Sequence, residues 1–196
     1  MKRLDPEDIE TAELFDKANA FYNQRKHDKA KEFAEKALSI SLKARGSAHP
    51  DVAMAYHTLG KIYANESFYP DKAIEYTEKA LAIRLQTLRP DHPDIAMSYN
   101  NLGAEYLTKH DVGKAMQYHE KALAIRLRTL GTEHPDVAMS YSNLHEVHWR
   151  KRNYGKAMEC LGKALSIRLK ALGAEHLDIA RCYSKLGRVH FYKGEG

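Results

Sequence analysis

The chain has 196 residues, 43% of them apolar and 29% charged, and Lys and Arg outnumber Asp and Glu by 31 to 26, giving +5 at pH 7. That apolar share is enough for a continuous core, no run reaches the length of a membrane span, and the slight basic excess matters only if one face concentrates it. Cys160 and Cys182 stand without CxxC spacing and predict free thiols; with no apolar stretch behind Met1-Lys2-Arg3, the expectation is a cytoplasmic protein without a signal peptide.

His49, His92, His134 and His176 follow one another at 43, 42 and 42 residues, and Ala37, Ala80, Ala122 and Ala164 keep step with them. Such self-similarity predicts an all-α solenoid of antiparallel helix pairs, in which each unit buries its apolar face only against its neighbours. The expected organisation is a lead over 1–8, repeats at 9–48, 49–91, 92–133 and 134–175, and a half repeat or capping helix at 176–196, about four and a half repeats in all.

In chain order, the first unit has a weak helix A (Leu14, Ala18, Phe21) and a clearer helix B (Ala30, Ala37, Leu38, Leu42). The second carries a longer turn, Asn65 to Asp71, which accounts for the interval of 43. In the third, Pro93 and Asp94 suit a first helical turn, and Tyr99, Leu102, Gly103 and Tyr106 form one apolar stripe to about Thr108. Lys109-His110-Asp111 is the expected turn. Helix B then carries Ala115, Ala122, Leu123, Leu127 and Leu130, with Gly131 placed to close it in a left-handed conformation.

Gly60, Gly103 and Gly187 recur in helix A, and Ala73, Ala115 and Ala157 near the start of helix B. Glycine inside a helix costs about 1 kcal/mol against alanine, so its recurrence predicts close backbone approach. The fourth unit has His145 at this position: either the pair opens there or the imidazole turns to the edge and uses its polar tip. The fifth offers a helix A to about Tyr192, with Lys193-Gly194-Glu195-Gly196 where the other units turn. Lacking a helix B, that helix is expected to expose Leu186 and Val189 and to drive self-association through the end helices.

With Tyr, Leu, Gly and Tyr in helix A and paired Ala in helix B, the units resemble tetratricopeptide repeats. The long helix B "EKALAIRLRTLG" and the linker "HPDVA" are similar to the 42-residue repeats of kinesin light chains. The resemblance implies a right-handed superhelix whose A helices line a concave, peptide-binding groove. It points into that groove Met54, His57, Thr58, Lys61 and Asn65 of the second unit, and Met97, Asn100, Asn101 and Leu107 of the third. From the fourth come Met139, Ser142, Asn143, Glu146, Trp149 and Arg150, and from the last helix Arg181, Ser184, Lys185, Arg188, Phe191 and Tyr192. The groove thus runs from amide and Met character to basic and aromatic. Asn101 and Asn143 suit a peptide backbone, since an amide both donates and accepts; Trp149 suits an apolar anchor. Against the carboxylate clamp of chaperone-binding repeats, Asn143, Arg181 and Lys185 match, whereas Asn100 and Ala104 do not. The Met row equally fits packing between successive A helices.

The eleven histidines do not make a metal or catalytic site: four are placed by the period, and His145-Glu146-Val147-His148 lacks zincin spacing. No phosphate loop or nucleophile elbow occurs, so neither enzyme activity nor a cofactor is expected. Phosphate tracking needs a continuous basic stripe, whereas these cations alternate with Met139 and Glu146, which argues against nucleic acid. Two readings follow. One is a non-enzymatic scaffold holding an extended acidic peptide; the other is a structural, self-associating array within a larger signalling or adaptor protein.

Overall fold

The computed structural model describes residues 6–66 and 69–194. Among them are nine helices and no strand: α1 (Pro6–Asn23), α2 (His27–Arg45), α3 (Pro50–Asn65), α4 (Pro70–Thr87), α5 (Pro93–Thr108), α6 (Val112–Leu130), α7 (Pro135–Arg150), α8 (Tyr154–Leu172) and α9 (Leu177–Gly194). The chain is an all-α repeat solenoid with two compact units, Met1–Pro90 and Asp91–Gly196. In the first, α1 packs on α2, α2 on α3 and α3 on α4; in the second, each helix from α5 to α9 packs on the next. Odd-numbered helices are the A helices and even-numbered ones the B helices.

The repeat histidines, expected to be linker residues, start the A helices. His49, His92 and His134 are N-caps in extended conformation, and their Nδ1 atoms accept the backbone N–H of Asp51, Asp94 and Asp136 at 3.2, 3.1 and 3.1 Å. His176 does the same for Asp178 at 3.2 Å. The imidazole lone pair thus takes the place of the usual Ser or Asp oxygen, and the proline that follows in α3, α5 and α7 has no N–H to satisfy. Helices α6 and α8 are capped by Asp111 and Asn153, which accept from the N–H of Lys114 and Lys156. The preceding residues, His110 and Arg152, take φ of 62° and 55°, so the A-to-B turn reverses on a left-handed non-glycine residue. Gly131 has the expected positive φ, 78°, but ψ is 175°. It is therefore extended rather than left-handed helical, and its N–H still closes on the Leu127 carbonyl.

Packing within a pair turns on one contact. A methyl group at Gly60 would lie 2.7 Å from Thr77 Oγ1, and one at Gly103 would lie 2.6 to 2.7 Å from the His119 ring. His119, 1% exposed, fills the hole that Gly103 leaves. In α7 and α8 both positions carry a large side chain, buried His145 on the A helix and buried Leu161 on the B helix. The His145 ring neither opens the pair nor turns to the edge: it stays in the core, its Nδ1 3.1 Å from the Ala157 carbonyl. Aromatic clamps flank the contact. Tyr76 of α4 lies between Tyr56 and Tyr63, and Tyr118 of α6 between Tyr99 and Tyr106, with centroids 5.4 to 6.0 Å apart. Between repeats of the second unit, buried Arg126 donates to Ser140 Oγ at 2.8 Å and to the Asp136 carbonyl at 3.3 Å; Arg168 meets Cys182 Sγ in the same place at 3.0 Å.

Several expectations about the ends are corrected. Val189 is fully buried and Leu186 half-buried, because their side of α9 faces the repeat before it; the exposed large apolar residues are Leu177, Tyr183, Phe191 and Tyr192. Helix α9 runs on through Lys193 and Gly194, expected to turn, while Glu195 and Gly196 lie outside the described residues. Helix α1 begins at Pro6, ahead of the expected Ile9. Of the long turn after Asn65, Ser67 and Phe68 also lie outside the described residues.

Gly103→Ala should lower the unfolding free energy by about 1–3 kcal/mol through overpacking against His119, whereas Gly187→Ala, with nothing within 4 Å, should raise it by up to about 1 kcal/mol. Urea unfolding compares the two. Burial, then Arg84 and Lys61, holds His57 at about 3, and burial, then Arg126, holds His119 at about 4. Both are protonated in the unfolded chain below about 6.5, so unfolding takes up protons there. Stability should be full above that pH and fall toward pH 4, by on the order of 1 kcal/mol per pH unit per histidine, as a pH series of melts would show.

Candidate functional site

In the second unit, side chains from α5, α7 and α9 meet on the face formed by the A helices. Asn143 Nδ2 donates to Asn100 Oδ1 at 2.7 Å, linking α7 to α5. Arg150 Nη1 donates to the Leu107 carbonyl at 3.0 Å, and its Nε donates to Glu146 at 3.0 Å. The Leu107 side chain is buried, so what it brings to this face is its carbonyl rather than an apolar anchor. Asn101 is half-buried beside Asn100. A cavity of about 400 Å³ opens here, lined by Met97, Asn100, Asn101 and Met139, with Arg126 and Asp136 among its walls.

Toward α9 the character changes. Trp149 packs on Tyr154 at 5.4 Å and edge-on against Tyr192 at 5.2 Å, and the Arg188 guanidinium lies 4.8 Å over the indole. A cation held on the electron-rich face of Trp keeps its charge while covering apolar surface. Arg181 is paired with Asp178 at 3.1 Å. Lys185 and Arg188, among the described residues, have no carboxylate partner. Both contribute positive potential at His145, whose pKa is lowered chiefly by burial.

Lys61 and Asn65 belong to the first unit and form their own cluster. Asn65 Nδ2 donates to the Tyr22 hydroxyl, and Lys61 Nζ sits 4.6 Å over the Tyr22 ring. His57 and Thr58, assigned to the groove from the resemblance, are buried at 8% and 4% exposure, and the Thr58 hydroxyl donates to the Met54 carbonyl. Tyr154 and Arg126 were not singled out by the sequence reading. The recurrence of Arg84, Arg126 and Arg168 at the repeat spacing was the available signal for the second.

The tetratricopeptide repeat family profile matches residues 8–67, 70–128, 109–170 and 136–195. The chain belongs to the tetratricopeptide repeat family. Its fold is similar to the crystal structure of the kinesin light chain-type, nearly identical TPR-like repeats of Podosopora anserina, with 26% identity, a TM-score of 0.81, and coverage of all of this chain and 90% of that one. It is also similar to BtubC (BKLC) from P. vanneervenii, with 30% identity, a TM-score of 0.77, and coverage of 90% and 69% of the two chains. RapI in its apo form, at 17% identity and a TM-score of 0.81 over 95% of this chain and 65% of that one, shares the fold. A search of curated proteins returned no match.

Tetratricopeptide arrays are typical protein–protein interaction scaffolds, and the repeat-based relatives are generally non-enzymatic. Among the described residues no group of three or more His, Cys, Asp or Glu could hold a metal ion, and no helix is long and apolar enough to cross a membrane.

Arg188→Gln should remove the cation from the only indole of the chain while leaving unfolding free energy within about 0.5 kcal/mol, as for an exposed side chain. Trp149 emission should shift and its quenching by iodide should fall as the local positive charge is lost. Unchanged iodide quenching would place Arg188 away from Trp149 in solution.

Proposed function

We propose that this tetratricopeptide array is a non-enzymatic scaffold whose second unit holds an extended acidic segment of a partner protein on its A-helix face. What carries the reading is the juxtaposition of Lys185 and Arg188, cations without a carboxylate partner among the described residues, with the Trp149, Tyr154 and Tyr192 cluster and the Asn100–Asn143 pair. Each group has a separate task. Lys185 and Arg188 attract carboxylates, the remaining amide valences of Asn143 and Asn101 meet a peptide backbone, and an apolar residue packs beside Trp149 or between Met97 and Met139. Methionine suits such a contact because its unbranched side chain adapts to what it meets.

The basic residues do not form the uninterrupted stripe that tracking a phosphate backbone requires: Glu146 binds Arg150 and Asp178 binds Arg181. Protein rather than nucleic acid is therefore the proposed partner. The free thiols Cys160 and Cys182 support a reducing, cytoplasmic setting.

An array of peptides graded from acidic to basic tests the reading. Acidic peptides should be retained, with affinity falling as salt rises. Lys185→Glu with Arg188→Glu should abolish retention while helicity and melting temperature stay nearly unchanged, and Asn143→Ala should weaken it by about 1–3 kcal/mol through a lost buried contact. Retention of acidic peptides by the double charge reversal at wild-type strength would remove this face from consideration.

A further inference from the structure

The A-to-B turn of the first repeat carries the constellation that surrounds Trp149 in the fourth. Three repeats earlier, Trp149 is replaced by Tyr22, Tyr154 by His27, Arg188 by Lys61 and Tyr192 by Asn65. The contacts are kept. Tyr22 meets His27 at 5.9 Å where Trp149 meets Tyr154 at 5.4 Å, and Lys61 Nζ lies 4.6 Å over the Tyr22 ring where the Arg188 guanidinium lies 4.8 Å over the indole. Arg25 and Arg152, the left-handed residues of the two turns, match at φ of 59° and 55°. Only the polarity changes, from aromatic rings to hydroxyl, imidazole and amide.

A cavity of about 410 Å³ opens at this first turn, lined by Tyr22, Asn23, Arg25, His27 and Asn65. None of these residues is a carboxylate. Asn65 Nδ2 donates to the Tyr22 hydroxyl, so that oxygen already serves as an acceptor, and its own hydrogen meets no acceptor among the described residues. The second hydrogen of the Asn65 amide and those of Asn23 are further donors. Arg25 and Lys61 add two positive charges that have no carboxylate partner among the described residues. The carboxylates nearest in sequence, Asp28 and Glu66, both act on Lys31, which Glu66 binds at 3.3 Å. Two uncompensated cations beside several N–H and O–H donors are complementary to an anionic group. A cavity of this size suits an organic group rather than a bare ion. Lys61 covers a face of the Tyr22 ring, which leaves a poor platform for a nucleobase and favours protein.

We propose that this turn is a second binding site of the chain, taking an acidic side chain of a partner protein, either a carboxylate or a phosphorylated residue. Arg25 and Lys61 supply the charge, and the Tyr22 hydroxyl with the Asn23 and Asn65 amides orients the anionic oxygens. The site stands on the first unit alone, independently of the reading of Lys185 and Arg188.

NMR of the full chain carrying Lys185→Glu and Arg188→Glu, which removes the cations of the second unit, tests the proposal. Inorganic phosphate and glutarate should saturably shift the side-chain amide signals of Asn23 and Asn65 and the Arg25 Nε signal, while chloride at equal ionic strength should not. Whichever of the two saturates first distinguishes a phosphorylated residue from Asp or Glu. Arg25→Asn with Lys61→Gln preserves the turn, since asparagine tolerates a positive φ, and should raise the dissociation constant about tenfold or more as charge-assisted hydrogen bonds are lost. Tyr22→Phe, which keeps the ring, should raise it about threefold. No saturable shift, equal shifts with chloride, or unchanged affinity in the Arg25→Asn, Lys61→Gln variant would each overturn the proposal. A single-stranded oligonucleotide that saturates the same signals at lower concentration than a triglutamate peptide would overturn the protein partner in favour of nucleic acid.

Discussion

The close approach of A helix to B helix, made at Gly60 in α3 and at Gly103 in α5, shapes the packing around it. Where Gly103 removes the side chain, the His119 ring fills the space. The contact leaves no room for even a methyl group, as expected of interiors packed to nearly crystalline density. The contact has a polar cost. Neither nitrogen of His119 finds a hydrogen-bond partner, whereas His145 reaches the Ala157 carbonyl. Burial, with Arg126 beside it, lowers the His119 pKa to about 4, so the ring is neutral at pH 7 and its protonation in acid opposes the packing.

Because the B helix is drawn in at that point, the face of the A helix away from it is left to solvent and to the next A helix. The side chains that cross this face obey one spacing. Asn65 meets Tyr22 in the first unit, and in the second Asn143 meets Asn100, Arg150 meets the Leu107 carbonyl and Trp149 meets Tyr192. Each pair is 43 residues apart, while the third and fourth repeats are 42 residues long. Facing groups on neighbouring A helices thus come from positions one residue out of step with the 42-residue period.

The period, the helix pairs, the stripes and the close approach at Gly60 and Gly103, though not the one expected at Gly187, were legible in the sequence because each rests on local spacing repeated in successive units. The amide and cationic residues of the site were legible as a face, but not as partners. Nothing in the order of residues says that Arg150 turns back to Glu146 and Leu107 while Arg188 lies over Trp149. Two failures have definite physical causes. Histidine was not recognised as an N-cap because it can accept the Asp N–H only as the neutral tautomer with Nδ1 unprotonated, a choice that residue type does not reveal. Val189 was expected at the surface because an A helix has two apolar sides, one toward its own B helix and one toward the repeat before it. Periodicity marks both as apolar without saying which neighbour each one meets.

That two-sidedness also explains why α9 holds together without a B helix of its own. Ile179, Cys182 and Val189 are buried on the side facing the preceding repeat, and Arg168 reaches across from α8 to the Cys182 sulfur. Burial on that one side accompanies a helix that runs to Gly194. The Arg188 guanidinium of α9 lies over the Trp149 ring, and Tyr192 packs edge-on against it. The buried side thus fixes the rotation of α9 about its axis, and that rotation decides which of its side chains reach Trp149.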